Sequence, residues 1–417
     1  MTREQNKKQR PTRTDFFKKL DDLYPLIVED DLPKYACIFK KELIAALSNQ
    51  SSSLPTILNP ISKIQPKSGF GVALSLGGTN GYASGFRICP KGEIKFLNRH
   101  FFVLPENTVK NDLFHLMTKY ILKAANGRKS PFPVGIGFAY PLKPLLHYGF
   151  IDGELLYMAK GRNIKGLVGE KVGEEFHKFL KKEYCLDIQI VVANDAICLL
   201  LGGNGTEVAG VVGTGLNFAY WDKREKIAPL KLTELKGFFQ AEVAINIESK
   251  NFDKLPLTKL REIIDKKSDD RGFSLAEKET SGAYLYQIFN AGKDRLVGKH
   301  FPDLFSTDQL NDILTGAFRF PGSIRKEEAE KTYLFTERIF QRSAQVTAVQ
   351  LCGILEKLDK TKGVVSVIME GGIFWKARNY HALVNLYVNM ILPEVIVSFA
   401  RLYGSSRRGI AILANSK

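Results

Sequence analysis

Two short glycine-rich turns, each directly after an apolar run, are the segments of this sequence best suited to binding a phosphate chain. The first is Gly77-Gly78-Thr79-Asn80 and the second is Gly213-Thr214-Gly215. Glycine lets successive backbone N–H groups approach one anion without a Cβ atom in the way, and threonine adds a hydroxyl donor. Two such turns facing each other predict a polyphosphate site, although either turn alone is more often ordinary.

A second candidate is Asp195, which follows the apolar run from Ile188 to Ala193. Catalytic side chains commonly emerge where a strand ends in an α/β layer, and a carboxylate in that place accepts a proton. Aspartate also fits an Asx turn or a helix N-cap, because its short side chain accepts from the first free N–H groups of a helix. Asp195 is therefore a candidate general base with a structural alternative.

Short polar residues near other predicted strand ends fit a polyhydroxylated ligand: Asn194, Asn217, Asn246 and Glu248. Amide and carboxylate groups supply donors and acceptors for hydroxyl groups, and each buried partner left unmet costs ~1–3 kcal/mol. Each of these residues taken singly also fits an ordinary turn. The hypothesis of a sugar site therefore requires that the fold bring them together.

Other common sites find no support in the sequence. Gly292 to Lys299 approaches a P-loop, but its glycine spacing is wrong and His300 stands where serine or threonine is required, and the Rossmann fingerprint is missing. The six histidines form no HExxH motif and the five scattered cysteines form no CxxC pair. We therefore expect reduced thiols in a cytosolic protein and no side-chain metal site.

The elements that must position these groups alternate between strand and helix. Apolar runs predict buried strands at Gly71 to Leu76, Val134 to Phe138 and Ile188 to Ala193, with a helix around Val172 to Leu180 between the last two. A hairpin through Pro90-Lys91-Gly92 follows the first glycine turn. Such alternation predicts α/β layers.

The second half of the chain repeats this plan. A strand, glycine turn and strand recur from Val211 to Trp221, and Val364 to Met369 runs into Gly371-Gly372. Residues from about Leu257 to Leu358 have mostly helical periodicity, including a long run from Tyr333. The pattern predicts two similar halves, the second carrying a helical insertion. Further helical runs around Phe17 to Leu23 and Phe39 to Leu47 open the chain.

Length and charge narrow the class of protein. The 417 residues predict two to three domains, and 60 Lys+Arg against 44 Asp+Glu leave a formal charge of +16. The lysines are spread along the chain, often beside acids, and no nucleic-acid reader motif occurs, so we expect no specific nucleic-acid partner. No run of eighteen apolar residues and no apolar leader core occurs, which predicts no membrane span and a cytoplasmic location.

In order along the chain, these segments resemble the eukaryotic-type hexokinase family, within the superfamily of actin-like sugar kinases and chaperone ATPases, from about residue 30 to the C-terminus. The segments similar to that family's motifs are Leu54-Pro-Thr56 ("LPT"), Leu74-Ser-Leu-Gly-Gly-Thr-Asn80 ("DLGGTN"), Gly137-Phe-Ala-Tyr-Pro141 ("FSFP"), Ala159-Lys-Gly161 ("TKG"), Val192-Ala-Asn-Asp195 ("VND"), Gly213-Thr-Gly-Leu-Asn217 ("GTGSN"), Ile245-Asn-Ile-Glu248 ("INTE") and Ser281-Gly-Ala-Tyr-Leu285 ("SGMYL"). The coincidence of all of them in this order carries the resemblance.

The resemblance implies a two-lobed actin-like (ribonuclease H-like) α/β fold with a helical insertion in the larger lobe. It implies an ATP-dependent hexokinase of glycolysis, which transfers the γ-phosphoryl group of Mg-ATP to the primary 6-hydroxyl of glucose or a related hexose. Asp195 would take the proton from that hydroxyl. ATP and Mg²⁺ are the implied cofactors, hexose and ATP the partners, and a monomer or homodimer the assembly.

Residue by residue, the resemblance implies two binding sets. The implied sugar contacts are Lys160, Asn194, Asn217, Asn246, Glu248 and Gln287. The implied ATP contacts are Gly77, Gly78, Thr79, Asn80, Gly213 and Thr214 in the phosphate turns, with Gly371 and Gly372 near the adenosine. The expected organisation is a disordered basic tail (1–13), a helical part of the large lobe (14–65), the small lobe (66–200), the large lobe (201–403) and a segment returning to the small lobe (404–417).

Several positions depart from the family pattern. Ser75 stands where the family has the aspartate that helps hold hydrated Mg²⁺, and Gly81-Tyr82 stand where it has an arginine after "TNF". In the sugar pocket, Ala139, Ala159 and Gln287 replace a serine, a threonine and a glutamate. These changes keep a second hypothesis open, a catalytically impaired sugar-binding or regulatory protein. The SGxYL and NxE matches argue against a third, a chaperone-type ATPase.

Overall fold

The computed structural model of the protein describes residues 13–63, 66–128, 131–147, 150–158, 163–203, 205–401 and 404–415. Its strands are β1 (Ile57–Asn59), β2 (Gly69–Leu76), β3 (Asn80–Ile88), β4 (Ile94–Phe96), β5 (His100–Val103), β6 (Asn107–Val109), β7 (Val134–Phe138), β8 (Leu142–His147), β9 (Phe150–Leu155), β10 (Asn163–Lys165), β11 (Ile190–Asn194), β12 (Val208–Val212), β13 (Leu216–Lys223), β14 (Glu242–Asn246), β15 (Gly363–Glu370) and β16 (Val395–Ala400).

The helices alternate with these strands and dominate the second half of the chain. They are α1 (Arg13–Leu23), α2 (Leu32–Leu47), α3 (Lys110–Ala125), α4 (Val172–Tyr184), α5 (Asp195–Gly202), α6 (Pro229–Leu232), α7 (Lys259–Lys267), α8 (Leu285–Leu296), α9 (Thr307–Thr315), α10 (Lys326–Lys357), α11 (Gly372–Lys376), α12 (Tyr380–Ile391) and α13 (Ser405–Ala414).

Two mixed sheets of the same plan carry the fold. In the described residues, the first has the order β11-β7-β2-β3-β4 with β5 also on β3, and the second has the order β1-β14-β13-β12-β15-β16. In each sheet an antiparallel hairpin, β2–β3 or β12–β13, encloses a glycine turn, and its first strand pairs in parallel with β7 or β15. The predicted pair of similar α/β halves is confirmed.

Each sheet has its own hydrophobic core, and two helices join them. One core contains α1, α2, α10 and one face of the second sheet, while another lies between the first sheet, α3 and α4. A third core contains residues of both sheets together with α5 and α13. At the crossing of these helices a Cβ on Gly409 would lie 1.6 Å from the Cys198 carbonyl oxygen, so a side chain there would force the helices apart.

Predicted elements and observed ones differ mainly at their ends. The long helix begins at Lys326, two turns before the apolar run at Tyr333, because Glu328 accepts from the Arg325 N–H and caps its start. In α1, Phe16 joins the core while Phe17 is only partly buried. Arg13, expected in the tail, begins α1, and residues 1–12 lie outside the described part.

The described helices include none that is both long enough and apolar enough to cross a membrane.

Candidate active site

The first glycine turn joins the end of β2 to the start of β3 in the first sheet. Its turn is closed by the Gly77 N–H, which donates to the Asn80 carbonyl at 3.0 Å, and the Leu104 N–H donates to the Thr79 carbonyl at 3.0 Å. Thr79 and Asn80 are exposed. These two hydrogen bonds hold the backbone of the turn in place, while the side chains of Thr79 and Asn80 remain accessible to a ligand.

The second glycine turn is enclosed by segments far away in the chain. The Gly282 N–H donates to the Gly213 carbonyl at 2.7 Å, and the Ala283 N–H donates to the Thr214 carbonyl at 3.3 Å. Gly371 has φ +119°, and a Cβ on it would lie 2.0 Å from the Val212 carbonyl oxygen. Only glycine allows this approach. It brings Gly371-Gly372, the segment predicted to contact the adenosine, against the second glycine turn.

Asn194 and Asp195 stand at the junction of β11 and α5. The Asn194 side chain caps the helix by accepting from the Ala196 N–H at 3.0 Å, and its Nδ2 donates to the carbonyls of Phe138 and Tyr140, each at 3.4 Å. The Asp195 carboxylate accepts from the same N–H at 2.9 Å and is half-buried. The capping role is thus taken by Asn194, and Asp195 is the first helical residue.

A second carboxylate, Glu370, lies in the same region. The thiol of Cys198, one turn along α5, is fully buried, and this burial raises its pKa. The negative charges of Asp195 and, to a smaller extent, Glu370 raise it further. Glu370 is the last residue of β15, and its carboxylate accepts from the N–H and the hydroxyl of Ser406. Glu370 is not among the residues predicted from the sequence, although, like Asp195, it is an acid at the end of an apolar strand.

The predicted sugar-binding residues of the second sheet form one hydrogen-bonded chain. Asn217 Nδ2 donates to Asn246 Oδ1 at 2.7 Å, and Asn246 Nδ2 donates to Glu248 Oε1 at 2.9 Å. Asn217 lies on β13 and Asn246 ends β14, and Glu248 follows with a left-handed φ of 53°. The predicted convergence of these three side chains is therefore present in the structure.

The chain of polar groups ends on a lysine that the sequence analysis did not select. Lys250 Nζ lies 3.4 Å from Glu248 Oε2, and both side chains are 4% exposed. Burial alone would lower the pKa of Lys250, but the carboxylates of Glu248 and Glu277 outweigh it and raise the pKa. Lys250 Nζ also lies 5.1 Å from the centre of the Tyr157 ring. The cluster thus contains a buried ammonium group as well as a carboxylate.

The remaining predicted sugar contacts lie apart from this chain or outside the described residues. Gln287 is on α8, and its Nε2 donates to the Ala283 carbonyl at 2.7 Å, next to the second glycine turn. Ala139 is buried, and its N–H donates to the Leu76 carbonyl at 2.9 Å. Lys160, with Ala159, falls in the range 159–162, which is not described.

Two of the departures from the family pattern are in contact with each other. Ser75 and Tyr82 are paired across β2 and β3, and a hydrogen bond joins their side chains. Burial and the Glu370 carboxylate raise the pKa of Tyr82. The hydrogen bond from Ser75 and the positive charges of Arg407 and Arg99 lower it, but by less. A neutral phenol therefore occupies the place next to the first glycine turn.

No cluster of three or more His, Cys, Asp or Glu side chains suited to a metal ion occurs within the described ranges. Kinase Mg²⁺ sites typically use one or two carboxylates together with the substrate phosphates and water. Glu370 ends β15 directly before Gly371, which packs on Val212 and Gly213, so this carboxylate fits a metal ion that arrives with a nucleotide at the second glycine turn.

Comparison with known protein families decides the class. Two sequence profiles described as "Hexokinase" match residues 25–204 and residues 207–292 with 299–416. The chain belongs to the hexokinase family. Its activity class is that of a hexose kinase, and the expectation drawn from the ordered motifs is confirmed.

Individual hexokinases are distant in sequence and similar in fold. Hexokinase-1 of Schizosaccharomyces pombe is 25% identical, over 88% of this chain and 83% of its own length. Hexokinase-3 of Mus musculus is 22% identical over 90% of this chain, which spans only 44% of that protein. The solved structure of the Schistosoma mansoni hexokinase complexed with glucose superposes with a TM-score of 0.85 at 20% identity, covering 96% of this chain and 99% of that one.

Proposed function

We propose that this protein transfers the γ-phosphoryl group of Mg-ATP to the primary 6-hydroxyl of glucose or a related hexose, with Asp195 as the general base. The observation that carries this proposal is the position of Asp195 at the junction of β11 and α5, where it is half-buried and Asn194 takes the role of helix cap. Glu370 precedes the glycines that pack on the second glycine turn.

In the proposed step, the hexose 6-oxygen forms a bond to the γ-phosphorus, and the bond from that phosphorus to the β,γ-bridging oxygen breaks. The hydroxyl proton passes to the Asp195 carboxylate, and ADP leaves with the broken bond's electron pair. Such general-base assistance contributes about 10²- to 10⁴-fold. The remaining acceleration therefore comes from alignment of the hydroxyl with the phosphate and from stabilisation of the transferring group.

Sugar binding is assigned to the chain of Asn217, Asn246 and Glu248, supported by its continuous hydrogen bonds of 2.7 and 2.9 Å. Asn194 orients the neighbouring backbone, and Lys160 and Gln287 complete the proposed set of contacts. Closure of the two lobes over the sugar would exclude water, which otherwise competes with the hexose for the phosphoryl group.

The nucleotide is assigned to the two glycine turns, with Gly77 to Asn80 on one side and Gly213-Thr214 on the other. Gly371 and Gly372 would contact the adenosine. The Mg²⁺ bound to the nucleotide would neutralise phosphate charge, held by the phosphates, by water and by Glu370, which leaves Asp195 to act as the base. Ser75 supplies a hydroxyl where the family has a carboxylate, so we expect this metal to be held less firmly.

A second function, sugar binding without efficient turnover, is favoured by two observations. Ser75 lacks the metal-binding carboxylate, and Glu248 is paired with Lys250, which competes with a sugar hydroxyl for the same carboxylate oxygen. A protein of this kind would bind hexoses and release little ADP.

A coupled ADP-release assay over several hexoses, starting with glucose, separates the two functions. We expect hexose-dependent ADP release that falls by at least 10²-fold in Asp195→Asn and Asp195→Ala. Asp112→Asn is the matched control, because Asp112 is an exposed aspartate in the first turn of another helix, α3. Hexose binding by calorimetry without ADP release in the wild type would instead establish the sugar-binding function.

A further inference from the structure

Near the first glycine turn, the ring of Tyr82 contacts the guanidinium groups of two arginines. The Arg99 guanidinium carbon is 5.0 Å from the centre of the Tyr82 ring and 4.1 Å from that of Phe101. The Arg407 guanidinium carbon is 5.7 Å from the Tyr82 ring and 4.6 Å from that of Phe96. Cations over aromatic faces are attracted by the ring quadrupole. The five side chains therefore form a cluster in which each guanidinium contacts two rings.

Strand register places this cluster next to the turn. Asn80 pairs with Val103 and Tyr82 pairs with Phe101, and residues two apart on a strand project from the same face. Asn80, the last residue of the glycine turn, and Tyr82 therefore share one face, separated by about 7 Å along β3. The Arg99 guanidinium, which contacts Tyr82 and Phe101, lies on that face.

The two arginines differ in accessibility. Arg407 is only 5% exposed, and its Nη1 donates to the Ser84 hydroxyl at 3.3 Å. It follows Ser406, which binds Glu370, so this arginine connects the small-lobe sheet to the strand that precedes Gly371. Arg99 is exposed, and so is the ring of Phe101 at 60%. Arg407 is placed to hold the structure together, whereas Arg99 is accessible to a ligand.

The charge balance around the turn favours an anionic ligand. The carboxylate that the family pattern has at position 75 is replaced by Ser75, and two guanidinium groups flank the neighbouring Tyr82. A guanidinium held flat against aromatic rings is pre-organised, and it donates in a fixed fork that matches phosphate oxygens. Glu370 also acts on Tyr82, but its carboxylate is bound by Ser406, so the exposed charge that this cluster contributes beside the turn is the Arg99 cation.

We propose that Arg99 anchors the terminal phosphates of the nucleoside triphosphate, and that Tyr82 and Phe101 position its guanidinium. This inference rests on the proposed function, because it takes the glycine turns as the nucleotide site. It assigns part of the phosphate binding to a side chain of the β4–β5 connection rather than to the residues that follow the turn.

The test measures nucleotide binding by calorimetry, without hexose, for wild type and Arg99→Gln. We expect the Kd for Mg-ATP to rise about tenfold or more in Arg99→Gln, while the Kd for adenosine changes less than twofold. Arg99→Lys, which keeps the charge but not the planar fork, should fall between the two. Arg128→Gln is the matched control, because Arg128 is also exposed and stacks on a ring, that of Phe70, at 4.5 Å.

Two further measurements keep the outcomes distinct. Phe101→Leu removes one ring of the cluster from an exposed position, and we expect normal thermal unfolding with a several-fold weaker Mg-ATP affinity. An unchanged Mg-ATP affinity in folded Arg99→Gln, or an equal loss in Arg128→Gln, would overturn this inference and leave the proposed kinase function standing. Failure of the wild type to bind Mg-ATP even in the presence of hexose would overturn both.

Discussion

The sugar end and the phosphate end of the proposed site are built in different ways. At the sugar end, Asn217, Asn246, Glu248 and Lys250 form a continuous chain of polar contacts between buried or half-buried side chains. At the phosphate end, Thr79, Asn80 and Arg99 are exposed. A change at the sugar end therefore acts on folding and binding together, whereas a change at the phosphate end acts mainly on binding.

Burial explains the size of this difference. Removing one partner of a buried ion pair leaves an uncompensated charge and costs about 3–5 kcal/mol. A cation over an exposed aromatic ring contributes about 0.5–1 kcal/mol, and exposed charges are screened by salt. The same type of substitution should therefore have unequal effects at the two ends.

The largest expected effect is that of Glu248→Gln. It removes the charge that faces Lys250, so we expect the free energy of unfolding to fall by about 3 kcal/mol and hexose affinity to fall by at least tenfold. Urea unfolding and calorimetric titration with glucose measure the two quantities.

Two variants check that this loss comes from the buried pair. Adding Lys250→Met to Glu248→Gln removes the unpaired ammonium and should restore much of the stability without restoring hexose binding. Glu262→Gln breaks an exposed ion pair, in which the Lys266 side chain is 57% and the Glu262 side chain 44% exposed. The free energy of unfolding should fall by less than about 1 kcal/mol. If Glu248→Gln and Glu262→Gln lowered the free energy of unfolding equally, the proposed difference between the sugar end and the phosphate end would be wrong.

An intermediate effect is expected for Ser75→Asp. Restoring a carboxylate beside the first glycine turn should improve metal placement and raise kcat several-fold, with little change in hexose affinity. Steady-state kinetics at saturating glucose over a range of Mg²⁺ concentrations measures this change.

Ser75→Ala is the control for that variant, because it removes the serine hydroxyl and gains no carboxylate. It should leave kcat at or below the wild-type value. A folded Ser75→Asp protein with unchanged or lower kcat would contradict the role of the missing carboxylate.

The smallest expected effect is that of salt on the wild type. Raising the NaCl concentration from about 0.05 M to about 0.5 M shortens the screening length and should weaken Mg-ATP binding a few-fold, because the phosphate end is exposed. Glucose affinity should change by less than twofold, since the Glu248 and Lys250 charges are buried. Equal salt dependence for the two ligands would show that their sites do not differ in this way.

Much of the fold was predictable because its signals are local. The predicted strand from Val134 to Phe138 has the observed bounds, and the predicted hairpin at Pro90 to Gly92 joins β3 to β4. Helix ends were less predictable. The start of α10 depends on the Arg325–Glu328 contacts, and its first turns lack the apolar period that marks the rest.

The candidate site shows the same division. Asp195 and the glycine turns were selected because strand ends and turns have short-range signatures. Lys250 was missed because a lysine that follows a turn normally faces solvent, and only packing makes it a buried partner of Glu248. Glu370 has the same short-range signature as Asp195, an acid at the end of an apolar strand, but its contact with Ser406 of α13 has no local signal.

The sequence by itself determined the order of strands, glycine turns and helices, and with it the membership of the hexokinase family, because these depend on periodicity and on motifs a few residues long. Only the tertiary structure decided which partners the charged groups meet: Lys250 meets Glu248 in a buried pair, and Arg99 and Arg407 both meet the ring of Tyr82. Arg407 and Ser84 are 323 positions apart, and such contacts exist only after the chain has returned through α13. Their energies depend on burial and distance, which no local pattern of residues encodes.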